Sequence, residues 1–195
     1  MIHIAVTALI LLSGNQSVEV TSGFGGIFYK GIQDHPLNSD IMTNLTYKRP
    51  WSDKWFYGVG LTLNAYSSDG VLFNSGGVAI TDFMVYRRVD MEDLKIVLGA
   101  GGGFSSFYST RYNSGGGEIA QGNYELLNFG VLVGFSISIF KRVAEKLEIG
   151  AKINYYAGKY LDRCWEGPEK DCSGIDTAPE HWFIGISLRF ILDQD

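Results

Sequence analysis

The sequence predicts an all-β fold: an eight-stranded antiparallel up-and-down transmembrane β-barrel with short periplasmic turns and long extracellular loops. Three observations carry that prediction. From Val18 onward, apolar residues recur at period two and not at helical spacing. The connections between the alternating segments are short and long in turn. Several segments contain no charged residue from end to end. Composition agrees: of 195 residues, 46% are hydrophobic, 14% aromatic and only 19% charged, with 25 glycines. That charge content lies below the roughly 25% usual in soluble domains, and the glycine and aromatic content argues against a disordered chain or a helical bundle. The net charge of -5 with dispersed Lys and Arg excludes a nucleic-acid partner, because no basic stripe is present to neutralise phosphates.

The first apolar run, Ile4 to Leu12, is too short to cross a bilayer as a helix. It has the length of a signal-peptide core and is followed by small residues, although no Lys or Arg precedes it and no Ala-x-Ala site ends it. Residues 1–17 are therefore expected to be a signal peptide or flexible N-terminal segment, with a buried first strand as the alternative, and 18–195 to be the barrel domain. Turn signals cut that domain into strands at about 18–29, 39–48, 55–66, 77–88, 94–108, 123–140, 147–160 and 181–191. The clearest is the third, where Trp55, Tyr57, Val59, Leu61, Leu63 and Ala65 oppose Phe56, Gly58, Gly60, Thr62 and Asn64. The seventh sets Leu147, Ile149, Ala151, Ile153 and Tyr155 against Glu148, Gly150, Lys152, Asn154 and Tyr156, and the eighth repeats the scheme from Trp182 to Phe190. Connections at 49–54, 89–93 and 141–146 are short and charged; those at 30–38, 67–76, 109–122 and 161–180 are longer and rich in Gly, Ser, Asn and Asp. In an up-and-down barrel such alternation gathers all short turns on one rim and all long loops on the other, as in membrane barrels with both termini in the periplasm.

A soluble eight-stranded barrel of the lipocalin type also alternates, but it places Lys, Glu and Asp regularly on its outer face. Here Trp55 to Ser68, Ile96 to Thr110 and Leu126 to Phe140 lack charge altogether, so the large apolar set is expected to meet lipid. The other face is small and polar, with Gly99, Gly101, Gly103, Gly130, Gly134, Ser136 and Ser138. Parity adds Glu19, Asp82, Arg88, Lys95, Glu148, Lys152 and Arg189 to it, a mixture of signs that suits a salt-bridged, plugged lumen. The fourth strand alternates poorly, and Asp82 and Arg88 face inward only if no bulge intervenes. Aromatics fall near both ends of the strands, Tyr29, Tyr66, Tyr108, Tyr155 and Trp182 at one and Tyr47, Trp55, Tyr86, Phe140 and Phe190 at the other, as two interfacial girdles require.

At Gly185, Leu188 and Phe190 the last strand resembles the C-terminal signal read by the barrel-assembly machinery: a Gly followed by alternating hydrophobics ending in an aromatic. The chain as a whole resembles the small bacterial outer-membrane barrels of the OmpA transmembrane-domain, OmpX or OmpW kind, although here Ile191 to Asp195 follow the aromatic that usually ends such chains. The resemblance implies a Gram-negative outer-membrane protein without cofactor. Its partners would be outer-membrane lipid and lipopolysaccharide, the assembly machinery during biogenesis, and other outer-membrane proteins. Its role would lie in envelope structure, surface interaction or a larger assembly. A narrow channel for small hydrophobic molecules is the alternative, with Met42, Phe56, Val97, Leu132 and Phe183 as a patchy apolar inner face.

Cys164 and Cys172 share the longest loop and are expected to form a disulfide in an oxidising compartment, with free thiols or a metal half-site as alternatives. The carboxylates of the same loop, Asp162, Glu166, Glu169, Asp171, Asp176 and Glu180, follow no calcium-loop spacing and read as a solvated acidic segment. Lys30, Arg111, Lys159 and Arg163 near the long-loop rim are expected to contact lipopolysaccharide phosphates. A lipid A deacylase or acyltransferase would need a Ser–His–acid set at that rim. Only His35 and His181 are available there, with Asp34, Ser39, Ser173 and Glu180 as companions and no His-x-Ser pair on one strand face, so the reading is non-enzymatic. Gly101 to Gly103 and Gly115 to Gly117 lack the Lys and Ser/Thr of a phosphate loop.

Overall fold

Period-two patterning with one wholly apolar face leaves strand edges that must be paired, and closure into a barrel satisfies every one of them at once. The computed structural model describes residues 16–28, 37–68, 74–113, 122–160, 166–168 and 180–192. These form eight strands, β1 (Gln16–Phe28), β2 (Leu37–Pro50), β3 (Trp55–Ser68), β4 (Asn74–Met91), β5 (Leu94–Asn113), β6 (Gly122–Ala144), β7 (Leu147–Tyr160) and β8 (Glu180–Leu192). Each pairs antiparallel with its sequence neighbours, and β1 pairs with β8 from Gln16↔Leu192 to Phe28↔Glu180, closing the barrel in sequence order. β1 begins at Gln16, so Gln16 and Ser17 belong to the wall; residues 1–15 lie outside the described residues.

The three short connections, 51–54, 92–93 and 145–146, share one rim. Two of them, Glu92–Asp93 and Glu145–Lys146, are two residues long; in the first, Glu92 takes a φ of 39°, a left-handed conformation characteristic of such hairpin turns. β5 and β6 run longer than the sequence pattern indicates, to 20 and 23 residues, and their pairing continues from Leu94↔Lys141 to Asn113↔Gly122. β7 leaves β6 at Gly130↔Tyr160, so the upper part of β6 stands above it. There Glu125 and Glu166 exchange backbone hydrogen bonds, each N–H donating to the other's carbonyl, at 2.7 and 2.8 Å. That bridge gives the 161–179 connection a fixed point on β6.

The outward rows are apolar along the strands: Leu127, Phe129, Val131, Val133, Phe135, Ile137 and Ile139 on β6, and Ile184, Ile186, Leu188 and Phe190 on β8, are all well exposed. In water such a surface would be untenable for a monomer, since exposed apolar patches rarely exceed a few hundred Å². In a bilayer it is the solvated face. β4 is paired without a register shift to both neighbours, so Val78, Ile80, Asp82, Met84 and Tyr86 all point inward. Two residues assigned by position to the interfacial girdle therefore belong elsewhere. Tyr86 and Phe140 are 1% and 0% exposed and fill the lumen, because parity and not nearness to a strand end decides which face a side chain takes. Trp55, Tyr108, Tyr155, Trp182 and Phe190 do lie on the outward parity.

Large inward side chains are accommodated by glycines facing them. A Cβ on Gly99 would sit 2.6 Å from the Tyr86 ring, and one on Gly134 would sit 2.6 Å from the Tyr156 ring and 2.8 Å from Met84 Cε. Gly134→Val is therefore expected to destabilise the barrel by about 1–3 kcal/mol through overpacking, read as a lower urea midpoint for unfolding in detergent micelles. The outward Val133→Ile change on the same strand should leave that midpoint nearly unaltered.

Candidate functional site in the barrel lumen

An eight-stranded barrel has an interior just wide enough for side chains to fill it. Here the filling is divided laterally. β4, β5 and β6 contribute a mainly apolar half, with Val78, Ile80, Met84, Tyr86, Val97, Phe107, Leu132 and Phe140 in one buried cluster. β1, β2, β7 and β8 contribute most of the ionic half, joined by Asp82 from β4, Lys95 from β5 and Arg142 from β6.

The centre of the ionic half is Glu19 on β1. One of its carboxylate oxygens receives a hydrogen bond from Lys48 Nζ at 2.6 Å, and the other lies 2.9 Å from Lys152 Nζ. All three side chains are at most 1% exposed. Lys152 also donates to Asn44 Oδ1 at 2.7 Å and to Thr46 Oγ1 at 2.9 Å, while Asn44 donates to Thr62 at 2.8 Å. Lys48 lies 4.3 Å from the centroid of the Tyr86 ring, a cation–π contact with the apolar half. Asp82, projecting from β4 across the lumen, accepts a hydrogen bond from the Tyr156 hydroxyl at 2.7 Å. With Asp82 included, this level holds two carboxylates and two ammonium groups and is formally neutral. Charges so far from water persist only when paired and hydrogen-bonded, which is how Glu19 and its two lysines are held.

Toward the short-turn rim a second group centres on Glu148. It is paired with Lys95, with Arg189 at 3.2 Å and with Arg142 at 3.6 Å. The Arg189 guanidinium lies 5.7 Å from the Phe56 ring centroid and 5.5 Å from that of Phe140, so aromatic rings flank it while its N–H groups serve the carboxylate. Thr21 and Ser187 bond across the β1–β8 seam at 2.6 Å.

Six of the seven charges read as lumenal thus fall into three groups: Glu19 with Lys152, Glu148 with Lys95 and Arg189, and Asp82 with Tyr156. The seventh, Arg88, sits at the rim, pairs with Asp90 at 3.1 Å and covers Phe56 from 5.7 Å, outside both networks. Parity carries it inward, but it lies where the strand emerges into solvent, so its partner is a rim carboxylate. Lys48, beside the charged 49–54 turn, is absent from the lumenal set that the sequence gives; the β2 parity that carries Met42, Asn44 and Thr46 inward carries Lys48 with them. Arg142 belongs by position to a turn and reaches Glu148 only because β6 continues to Ala144 with a register shift between Arg142 and Ala144.

The assembly-signal residues lie within β8: Leu188 and Phe190 face outward, 38% and 42% exposed, and Gly185 packs against the β1 backbone at Ser22. The strand continues through Ile191 to Leu192, so the aromatic is followed by two further paired residues. Of the four basic residues read as lipopolysaccharide contacts, Lys159 is exposed on the outward parity of β7 and Arg111 is a backbone partner of Tyr124. Lys30 and Arg163 lie outside the described residues, as do Cys164, Cys172, His35 and Ser173. His181 points into the lumen, 0% exposed, while its neighbour Glu180 is exposed on the opposite parity of β8.

Strand order and filling together define a closed eight-stranded antiparallel β-barrel with an apolar outer wall, the fold of small outer-membrane barrels. The same fold is found in Neisserial surface protein A, with a TM-score of 0.62 and 8% identity over 92% of this chain and 98% of that one. It is found in Ail, the attachment invasion locus protein of Yersinia pestis, with a TM-score of 0.54 and 12% identity over 92% and 100%. A major outer membrane protein from Thermus thermophilus gives a TM-score of 0.57 and 8% identity over 92% and 100%. No family model matches the chain, and no curated protein matches it in sequence. At such identities the likeness is one of fold.

Proposed function

We propose that this chain is a non-enzymatic outer-membrane barrel whose work is done by its wall and loops, in envelope structure, surface interaction or as an accessory subunit of a larger assembly. In this reading both termini and the short turns are periplasmic, and the long loops face outward from the cell. The observation that supports it is the filled, ion-paired lumen. Glu19, Lys48, Lys152, Asp82 and Tyr156 interlock across the barrel at one level, and Glu148, Arg189, Phe56 and Phe140 close it again nearer the short-turn rim. A solute would have to break several buried charge pairs to pass, each costly to leave unmatched.

Recording from the reconstituted full chain in planar bilayers tests this. The expected trace is flat, without discrete steps. Stepwise conductance that disappears in Lys152→Trp would show an open lumen and overturn the reading in favour of transport.

A further inference from the structure

The lipid-facing wall holds one group of residues that the lumen does not account for. At the short-turn end, Arg49 on β2 and Arg87 on β4 lie on the outward rows and flank β3. Arg49 is directly across from Tyr57, and Arg87 directly across from Trp55. The Arg87 guanidinium carbon lies 5.6 Å from the Trp55 ring centroid. Trp51, in the β2–β3 turn, is 66% exposed and stacks on Trp55 with ring centroids 6.3 Å apart. The turn that presents it is fixed by backbone bonds from Trp51 N–H and Ser52 N–H to the Trp55 carbonyl, at 2.9 and 3.2 Å. Tyr47, next to Arg49 on the same outward row, carries a hydroxyl closed off from solvent and without a polar partner.

The order of residues along the wall matches the order of chemistry along a lipid. On β3 the outward row runs Trp55, Tyr57, Val59, Leu61, from interfacial aromatics to purely aliphatic side chains. The outward rows of β2, β3 and β4 bring two guanidinium groups, Arg49 and Arg87, to the aromatic end of the wall. Guanidinium forks bind phosphate oxygens bidentately, and Trp and Tyr sit at headgroup depth. We propose that this patch binds the headgroup of an anionic phospholipid of the surrounding bilayer. Its phosphate lies between Arg49 and Arg87, and its acyl chains run along Val59, Val85 and Leu61. The inference rests on the lipid-facing wall alone and is independent of what the loops do.

Native mass spectrometry of the refolded full chain, given equal amounts of phosphatidylglycerol and phosphatidylcholine, reads the preference directly. The wild type should retain phosphatidylglycerol over phosphatidylcholine by on the order of tenfold, as two cationic groups at a membrane surface imply. R49Q/R87Q should lose that preference while keeping its heat-modifiable gel mobility, and K141Q, which removes a cation elsewhere on the same rim, should retain it. If the double variant does not fold, R49Q and R87Q are read singly, each with a reduced preference. Equal retention of the two lipids by the wild type, an undiminished preference in the arginine variants, or an equal loss in K141Q would overturn the proposal. So would displacement of phosphatidylglycerol by excess inorganic phosphate, which would mark a site for the free ion.

Discussion

Glu19→Ala is expected to be the most damaging single substitution in the lumen, costing about 3–5 kcal/mol, because it leaves buried cations without their counter-charge. Lys48 and Lys152 both reach the Glu19 carboxylate, at 2.6 and 2.9 Å, from opposite sides of β1, and neither is more than 1% exposed. Lys152 would retain Asn44 and Thr46, but two ammonium groups would then face each other with no carboxylate between them. The measurement is urea unfolding in detergent micelles, followed by the loss of the fast-migrating folded form on unheated gels. Removing one of the two cations should restore much of the stability: Glu19→Ala combined with Lys48→Met should lie well above Glu19→Ala alone. The double-mutant cycle then reports the coupling energy between the two side chains. Near-additivity of Glu19→Ala and Lys48→Met would mean that the pair does not stabilise the barrel.

The second large effect is expected on the other face of the wall. Ile186 lies on β8 midway between Trp182 and Phe190, two outward aromatics of that strand, and is 67% exposed. At that depth Ile186→Arg should cost about 2–4 kcal/mol, whereas Glu180→Arg at the strand end should cost no more than about 1 kcal/mol. The contrast depends on the solvent around the barrel. Water would tolerate an arginine at either site, since an exposed residue distant from other features rarely shifts stability by more than about 0.5 kcal/mol. Equal tolerance of the two substitutions in lipid vesicles would therefore contradict the lipid-facing assignment of this row.

Much of the architecture was legible in the sequence because a strand with one lipid-facing side has a simple grammar. Outward positions must be apolar over the hydrocarbon depth, so period two persists without interruption in β3, β6, β7 and β8, and it marks the cores of those strands. β7 begins and ends at the expected positions, Leu147 and Tyr160. β4 was harder to read. A filled lumen accepts apolar side chains as readily as lipid does, so Val78, Ile80, Met84 and Tyr86 give no hydrophobic contrast with Phe83 and Val85. Only Asp82 marks the inner side, and it does so reliably only when the register is known. The same ambiguity misplaced Tyr86 and Phe140.

The lumen's charged residues were legible by parity, but their partners were not. Pairing depends on which strands face each other across the closed barrel: Glu19 meets Lys152 because β1 and β7 both flank β8, and it meets Lys48 because β1 and β2 are neighbours. The lateral division of the lumen into ionic and apolar halves follows from the same closure. It gathers β4, β5 and β6 on one side, where glycines at 99 and 134 admit the larger rings. The arginine–aromatic patch on β2, β3 and β4 had a different obstacle. Arg49 and Arg87 are distant in sequence, and each reads alone as an ordinary turn-flanking cation. Register alone sets them on either side of Trp55 and Tyr57.

One assignment is central: a single barrel wall with lipid outside and a filled, ion-paired interior. Spin labels placed one at a time from residue 182 to residue 190, in a chain whose Cys164 and Cys172 are replaced by serine, test it most directly when the protein is reconstituted in lipid vesicles. Accessibility to oxygen, which concentrates in the hydrocarbon, should alternate with period two, high at 184, 186 and 188 and low at 183, 185 and 187. A water-soluble relaxing agent should reach neither set at mid-depth. Loss of the alternation, or free access of the water-soluble agent to 184, 186 and 188, would contradict the assignment.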